Sequence, residues 1–319
     1  MLESDFAVVM TRIDVLAKGI LRLTFARQDG GEFPPWEPGA HVDLHFAANG
    51  VEYVRQYSLC GQITDRRHWQ VAVLHAPDGR GGSAHIHAAF AEGDTLRVTG
   101  PRNNFPLVAA PRYLFIAGGI GITPIIPMLA EVAASDADWR LVYCGRSADS
   151  MAFVDDVVTL GGGRVLLHES TAHGLLSLPS LVAEIDSETV VYCCGPESML
   201  RTLDECCETW ADGRLHVERF SRRENGSEDR DTAFEVEFAR SGFVATVPVH
   251  RSILDIAEDL GVDIESSCQE GVCGSCETKV LCGIPDHRDS VLSAKERTAG
   301  QTMMVCVSRS RSVRLVLDA

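Results

Sequence analysis

The pattern of hydrophobic and polar positions along this chain changes rhythm twice. Over the first hundred residues, HVDLHF (41–46), VRQYSL (54–59), WQVAVLH (69–75) and TLRVTG (95–100) alternate or are rich in β-branched residues. Gly, Pro and Asp punctuate them, and short strands at that spacing predict a small antiparallel β-barrel. After NNFPL (103–107) the apolar runs become continuous: YLFIAGG (113–119), RLVYCGR (140–146), RVLLHES (164–170) and TVVYCCG (189–195). Stretches of helical spacing separate them, beginning with ITPIIPMLAEVAA (122–134). Strands apolar on both faces, alternating with helices, predict a doubly wound α/β domain with a parallel sheet. The polar run SRRENGSEDRDT (221–232) then reads as an exposed linker. Beyond it, FEVEFARSGFVATVPV alternates like a hairpin, SILDIAEDLGV has the pattern of an amphipathic helix, and VRLVLD reads as a closing strand. The predicted organisation is a barrel over 1–105, an α/β domain over 106–224, a linker over 225–232 and a C-terminal domain over 233–319.

Composition narrows the classes. The 319 residues are 45% hydrophobic and 23% charged, enough for ordinary cores. No apolar run reaches the roughly 18 residues of a membrane span. The start, MLESDFAVVM, lacks a basic region followed by an apolar stretch, so the expectation is a cytoplasmic protein with no membrane partner. A formal charge of −16 repels phosphate backbones and disfavours nucleic-acid binding. Its plain reading is solubility; the sharper one is a face that steers a basic partner. Eleven cysteines is a high and odd count, which argues for metal or redox chemistry rather than a disulfide framework.

Four of those cysteines form a pattern. Cys268, Cys273 and Cys276 are spaced C-x4-C-x2-C, and Cys306 follows after 29 intervening residues. Structural zinc usually takes two short paired knuckles, whereas a plant-type [2Fe–2S] centre takes three thiolates from one loop and the fourth from a later segment. Gly271 and Gly274 suit a loop that wraps a cluster with its N–H groups aimed at sulfur. Zinc and incidental thiols are the competing readings. Cys282 lies outside the pattern and reads as an ordinary small side chain.

Upstream, Arg55-Gln56-Tyr57-Ser58 ends an alternating segment and offers a cation, an aromatic platform and a hydroxyl. In GRGGSAHIH (79–87), Gly81 and Gly82 precede Ser83, which is placed to cap a helix whose N–H groups would face an anion. AGGIGITP (117–124) follows a strand and opens a helix, the place for a pyrophosphate, with Gly118, Gly119 and Gly121 admitting close approach. Thr123 is a candidate donor to that pyrophosphate, and Pro124 suits a first helical turn. Cys194-Gly195-Pro196 follows another apolar strand, and Glu218-Arg219-Phe220 ends the next.

Together these motifs resemble, over essentially the whole chain and in the same order, the phthalate dioxygenase reductase and vanillate O-demethylase reductase family of the ferredoxin–NADP reductase superfamily. The resemblance implies a β-grasp ferredoxin domain at the C-terminus, FMN rather than FAD, and NADH as donor. It implies that Tyr57 lies against the isoalloxazine, Arg55 reaches the flavin phosphate, and Ser58 hydrogen-bonds near N5. It places Cys194, Gly195 and Pro196 beside the nicotinamide, Phe220 over the flavin until nicotinamide replaces it, and Arg146 where a 2′-phosphate would be read. Relatives read roughly AVKRE before the glycine loop where this chain has AVLHA (72–76), which leaves backbone contacts at Val73 and His75. The implied acceptor is a Rieske-type non-haem iron oxygenase; the oligomeric state stays open, with a monomer favoured. NADH releases two electrons together and a [2Fe–2S] centre takes one, so the flavin stands between them. A cytochrome P450 as acceptor, and a flavin and iron–sulfur redox sensor, are the alternatives.

Overall fold

The computed structural model describes residues 5–48, 50–77, 79–211, 213–221 and 231–319. Of the linker predicted over 225–232, all but Asp231 and Thr232 lies outside the described residues. The chain divides into two compact units, Met1–Glu218 and Arg219–Ala319, each with cores of its own.

The first unit opens with β1 (Asp5–Ala17), β2 (Ile20–Arg27), β3 (His41–Ala48), β4 (Val51–Ser58), β5 (His68–Leu74), α1 (Gly82–Ala89) and β6 (Thr95–Arg102). The strands pair antiparallel in the order β4-β3-β6-β1-β2-β5, and a bridge between Leu59 and Val71 joins the two edges. Alternation decides which side faces in. In β1, Phe6, Val8 and Met10 are buried while Asp5, Ala7 and Thr11 are not. The interior is aromatic, with Phe33 stacked on Trp69 at 4.0 Å and Phe6 edge-on to Trp69 at 5.5 Å.

The α/β part follows: β7 (Arg112–Gly118), α2 (Ile122–Ala133), β8 (Asp138–Gly145), α3 (Val154–Gly161), β9 (Val165–Glu169), α4 (Ser170–His173), α5 (Leu178–Ala183), β10 (Thr189–Cys194), α6 (Glu197–Cys206) and β11 (Leu215–Glu218). The sheet is parallel throughout, in the order β11-β10-β7-β8-β9. Central strand β7 is covered on both faces, so Phe115, Ile116 and Ala117 are all fully buried. On α2, Ile122, Ile125, Met128 and Leu129 recur at helical spacing and are fully buried. Barrel and sheet share a core: Ile20, Cys60 and Ala72 join Phe115, Ile122 and Tyr192. The Tyr192 hydroxyl fixes the connection, donating to the Pro106 carbonyl at 2.9 Å and accepting the Val108 N–H at 2.7 Å.

The second unit holds β12 (Phe234–Phe238), β13 (Phe243–Val247), α7 (Ile253–Leu260), β14 (Glu277–Cys282), β15 (Pro285–Asp286), α8 (Ala294–Ala299), β16 (Thr302–Met304), β17 (Arg309–Ser310) and β18 (Arg314–Leu317). Its main sheet runs β13-β12-β18-β14-β16, with β12 and β18 parallel, and β15 pairs with β17. This is the β-grasp arrangement expected of the ferredoxin domain. Helix α7 is capped at both ends: Ser252 and Asp255 exchange side-chain and backbone bonds at 3.0 and 2.8 Å, and Gly261 takes φ 71° just past the last turn. Its apolar stripe, Ile253, Leu254, Ile256 and Ala257, is buried against Phe238, Leu315 and Leu317. No helix among the described residues is long and apolar enough to cross a membrane.

Candidate functional site

Strand β4 brings Arg55, Tyr57 and Ser58 to one end of the barrel. The Arg55 guanidinium is held by the Val54 carbonyl at 2.9 Å and the Arg80 carbonyl at 3.3 Å, and lies over the Tyr53 ring at 4.9 Å. It crosses the start of α1 closely enough that a Cβ on Gly82 would stand 2.8 Å from Arg55 Nε. Gly81, not Ser83, occupies the cap position, with φ 81°. The Ser83 hydroxyl instead accepts the Ala76 N–H at 3.1 Å, which folds the preceding loop onto the helix. Among the described residues no side chain caps α1 and its first turn carries no acid. A cation and a helix N-terminus therefore lie together, as a phosphate requires.

Deeper in, Ser58 is 5% exposed and its Oγ is buried without a partner among the described residues, which suits a ligand acceptor. Burial raises the Tyr57 hydroxyl to about 12, so this ring stays neutral. Val73 is fully buried and its carbonyl accepts from His87 Nε2 at 2.9 Å, while the His75 N–H donates to Gly19 at 2.8 Å. Those two backbone groups, expected to serve a flavin, already have protein partners.

The nucleotide motifs converge through the parallel sheet. The register pairs Ala117 of β7 with Cys194 of β10, and Cys194 with Glu218 of β11. The glycine turn beyond β7 then packs straight onto Cys194-Gly195-Pro196. A Cβ on Gly121 would stand 2.2 Å from the Cys194 carbonyl oxygen, and one on Gly118 would stand 2.5 Å from Pro196 Cδ. Glycine is required at both for contact, and Gly119 for its φ of 55°. The Thr123 hydroxyl donates to the Ile120 carbonyl at 3.0 Å and the residue is 2% exposed, so an anion at this turn meets backbone N–H groups before this side chain.

Cys194 and Glu218 form a buried hydrogen-bonded pair. Burial raises the Glu218 carboxyl to about 8 and holds the Cys194 thiol protonated. Glu218 Oε2 is buried without a hydrogen-bond partner among the described residues. Arg146 is exposed on the loop after β8, its carbonyl accepting the Thr171 N–H and hydroxyl at 3.1 and 2.6 Å. Phe220 is the second residue of the second unit and is 44% exposed.

In the second unit the four patterned cysteines are all buried. They lie together: Cys268 hydrogen-bonds Cys273, Cys306 hydrogen-bonds Cys276, and charge on Cys268 and Cys273 is also felt at Cys306 and Cys276. The bond from Cys268 lowers Cys273 to about 5, and the bond from Cys306 lowers Cys276. Their partners are raised as the donors. Four buried thiols, three from one loop and the fourth from a later segment, suit a two-iron cluster.

The loop supports this. The N–H groups of Glu270 and Ser275 point at Cys268 and Cys273 sulfurs at 3.2 and 3.4 Å, and the Ser275 hydroxyl lies 2.9 Å from Cys273 Sγ. Gln269, Gly271 and Gly274 take φ of 56°, 70° and 83°. A Cβ on Gly271 would stand 2.5 Å from Val307 Cγ2 and 3.0 Å from Asp289 Cα. Asp289 is fully buried and accepts the Val291 and Leu292 N–H groups at 3.0 and 2.8 Å, while the Ser290 N–H holds the Gly271 carbonyl at 2.7 Å. Sequence reasoning missed Ser275, Asp289 and Tyr53. Only Ser275, a polar neighbour of two ligands, carried a signal. Cys282 is exposed at the end of β14, outside the cluster.

Comparison with known proteins agrees with this reading. Residues 236–311 match the 2Fe-2S iron-sulfur cluster binding domain, and residues 11–106 match the oxidoreductase FAD-binding domain. The chain is 38% identical to the carnitine monooxygenase reductase subunit of Escherichia coli (strain K12), over 98% of each chain. It is also 38% identical to the vanillate O-demethylase oxidoreductase of Pseudomonas sp. (strain HR199 / DSM 7063), over 98% of this chain and 99% of that one. Among solved structures, an intact type IV self-sufficient cytochrome P450 monooxygenase superposes with a TM-score of 0.89 at 42% identity, covering 99% of this chain and 41% of that chain. Phthalate dioxygenase reductase does so with a TM-score of 0.71 at 33% identity, over 99% and 98%. The chain belongs to the phthalate dioxygenase reductase and vanillate O-demethylase reductase family, and is an oxidoreductase of the kind that serves as reductase subunit in oxygenase systems, with a flavin-binding and a [2Fe–2S] domain.

Proposed function

We propose that this protein is the cytoplasmic, NADH-dependent, FMN-containing reductase of a Rieske-type non-haem iron oxygenase. The observation that carries the proposal is the burial of four thiols in a loop whose N–H groups aim at sulfur, in a chain whose other unit sets a glycine turn against Cys194-Gly195-Pro196. When bound, the flavin supplies the change from two-electron to one-electron chemistry, and the cluster supplies the one-electron exit. The chain's own work is positioning. Arg55 and the start of α1 would hold the flavin phosphate. Ser58 offers a buried hydroxyl at the reacting end. The turn at Gly118–Gly121 receives the dinucleotide, and the neutral Cys194–Glu218 pair keeps charge away from the nicotinamide end.

Anaerobic addition of NADH should bleach both flavin and cluster absorption, and acid should release FMN. Extraction of FAD, or reduction by NADPH alone, overturns the corresponding part. A cytochrome P450 acceptor is the second reading, favoured by the fit to the P450 monooxygenase structure. Titrating the reduced protein separately with a Rieske oxygenase and a P450 distinguishes them, since only the true acceptor reoxidises the cluster rapidly.

A further inference from the structure

One face of the barrel sheet around Ser58 is polar, yet it is shut off from water. Residues directly opposite each other in an antiparallel pair share a face. The register sets His41 of β3 opposite Ser58 of β4, and Asp43 opposite Gln56. On the other side of β3, His41 stands opposite Arg102 of β6. These five side chains therefore lie on one face, while Val42 and Leu44 point the other way, into the barrel core. An antiparallel sheet commonly turns such a polar face to solvent. Here His41 is only 6% exposed, Asp43 1% and Ser58 5%.

The charged members bond each other, Arg102 Nη2 donating to Asp43 Oδ2 at 2.5 Å. Three neutral groups are different. His41 Nε2, Gln56 Nε2 and Ser58 Oγ are buried without a hydrogen-bond partner among the described residues. Burial and the Arg102 charge push His41 down to about 4, so its ring is neutral. A buried polar atom left unsatisfied costs free energy, and three of them within cross-strand reach on one face mark a shared hydrogen-bonding site. A hydroxyl has one proton and two lone pairs, and its neighbours decide which way each points. At Ser58 those neighbours are an imidazole and a carboxamide.

We propose that His41, together with Gln56, is a positioning residue of the flavin site: through one bridging water it fixes the direction of the Ser58 hydroxyl, and so the hydrogen bond that Ser58 offers the flavin. The proposal rests on the reading of Ser58 as a flavin contact.

The test strips the full-length protein of flavin and measures its affinity for FMN by fluorescence quenching. It also measures the flavin midpoint potential of the reloaded protein against a reference dye. The variants are S58A, H41L, H41Q and the S58A/H41L double variant. Leucine removes the ring nitrogen, and glutamine returns an amide N–H near its place. H41L is expected to weaken FMN binding about tenfold and to shift the potential, H41Q to restore most of both, and H41L to add nothing once Ser58 is alanine. Losses in H41L that persist undiminished in the S58A background overturn the proposal alone, as do values unchanged in H41L. Affinity and potential unmoved in S58A overturn the Ser58 reading and this proposal with it. Q56L is carried through the same cycle with S58A, and decides by the same criteria where H41L does not fold.

Discussion

The nucleotide end of the first unit and the cysteine loop of the second solve opposite problems with the same residue, glycine. At Gly118 and Gly121 the missing Cβ lets one strand end press against another, at the place proposed for a substrate that arrives and leaves. At Gly271 and Gly274 the positive φ turns the chain around buried thiols, and N–H groups aim inward at sulfur. The first is an open shelf, the second a closed cage. A group that stays is held by side-chain ligands, whereas a group that exchanges is held by backbone shape.

Cys273→Ser breaks the cage and has the largest expected effect. Visible cluster absorption and reduction of one-electron protein acceptors should be lost, while NADH still reduces the flavin. Cys282→Ser, the same chemistry on an exposed side chain, should leave absorption unchanged. Intact absorption in the Cys273 variant would sink the ligand assignment.

Gly121→Ala breaks the shelf. A Cβ 2.2 Å from a carbonyl oxygen forces the turn away from β10, with an expected loss of about 1–3 kcal/mol in stability. NADH reduction of the flavin should slow by roughly 100-fold while the cluster spectrum is kept. Unchanged single-turnover reduction would show that the turn does not receive the dinucleotide.

Arg55→Ala sharpens the comparison, because it removes a side-chain contribution from the unit that otherwise relies on backbone. Loss of a charge-assisted contact should cost about 1.5–3 kcal/mol of flavin affinity. Full FMN occupancy after dialysis would count against a phosphate role.

The smallest effect is expected from Glu218→Gln. With the folded carboxyl raised to about 8 from 4.5, the native protein holds a proton that the unfolded chain has lost between those values. Native stability should therefore fall as pH rises through that window. The amide variant should flatten the slope, measured as denaturation midpoint against pH. A wild-type midpoint that is level across the same range would mean that Glu218 ionises freely.

The cluster was the most legible feature in the sequence, because its ligands are chemically distinctive and three lie within nine residues. The parallel sheet was legible because continuous apolar runs have few alternatives. Residues that act through contacts between distant segments were not. Ser83 looked like a helix cap, but the chain enters the helix two residues earlier through Gly81, and Ser83 is used to hold Ala76. Val73 and His75 offered backbone groups that neighbouring Gly19 and His87 take up. Asp289 sits 13 residues beyond Cys276 with no motif around it, yet it frames the loop at Gly271.

By itself the sequence determined which chemistry is present: thiols at cluster spacing, glycines at two turns, and a cation and an aromatic on one strand. These are local, set by residue type and short spacing. Tertiary structure alone decided how they act. Strand order brought the glycine turn onto Cys194, and parallel register set Glu218 against that thiol. Folding also brought the four patterned cysteines together. Those outcomes depend on which strands become neighbours, a choice made by burying whole faces, and no short stretch of sequence encodes it.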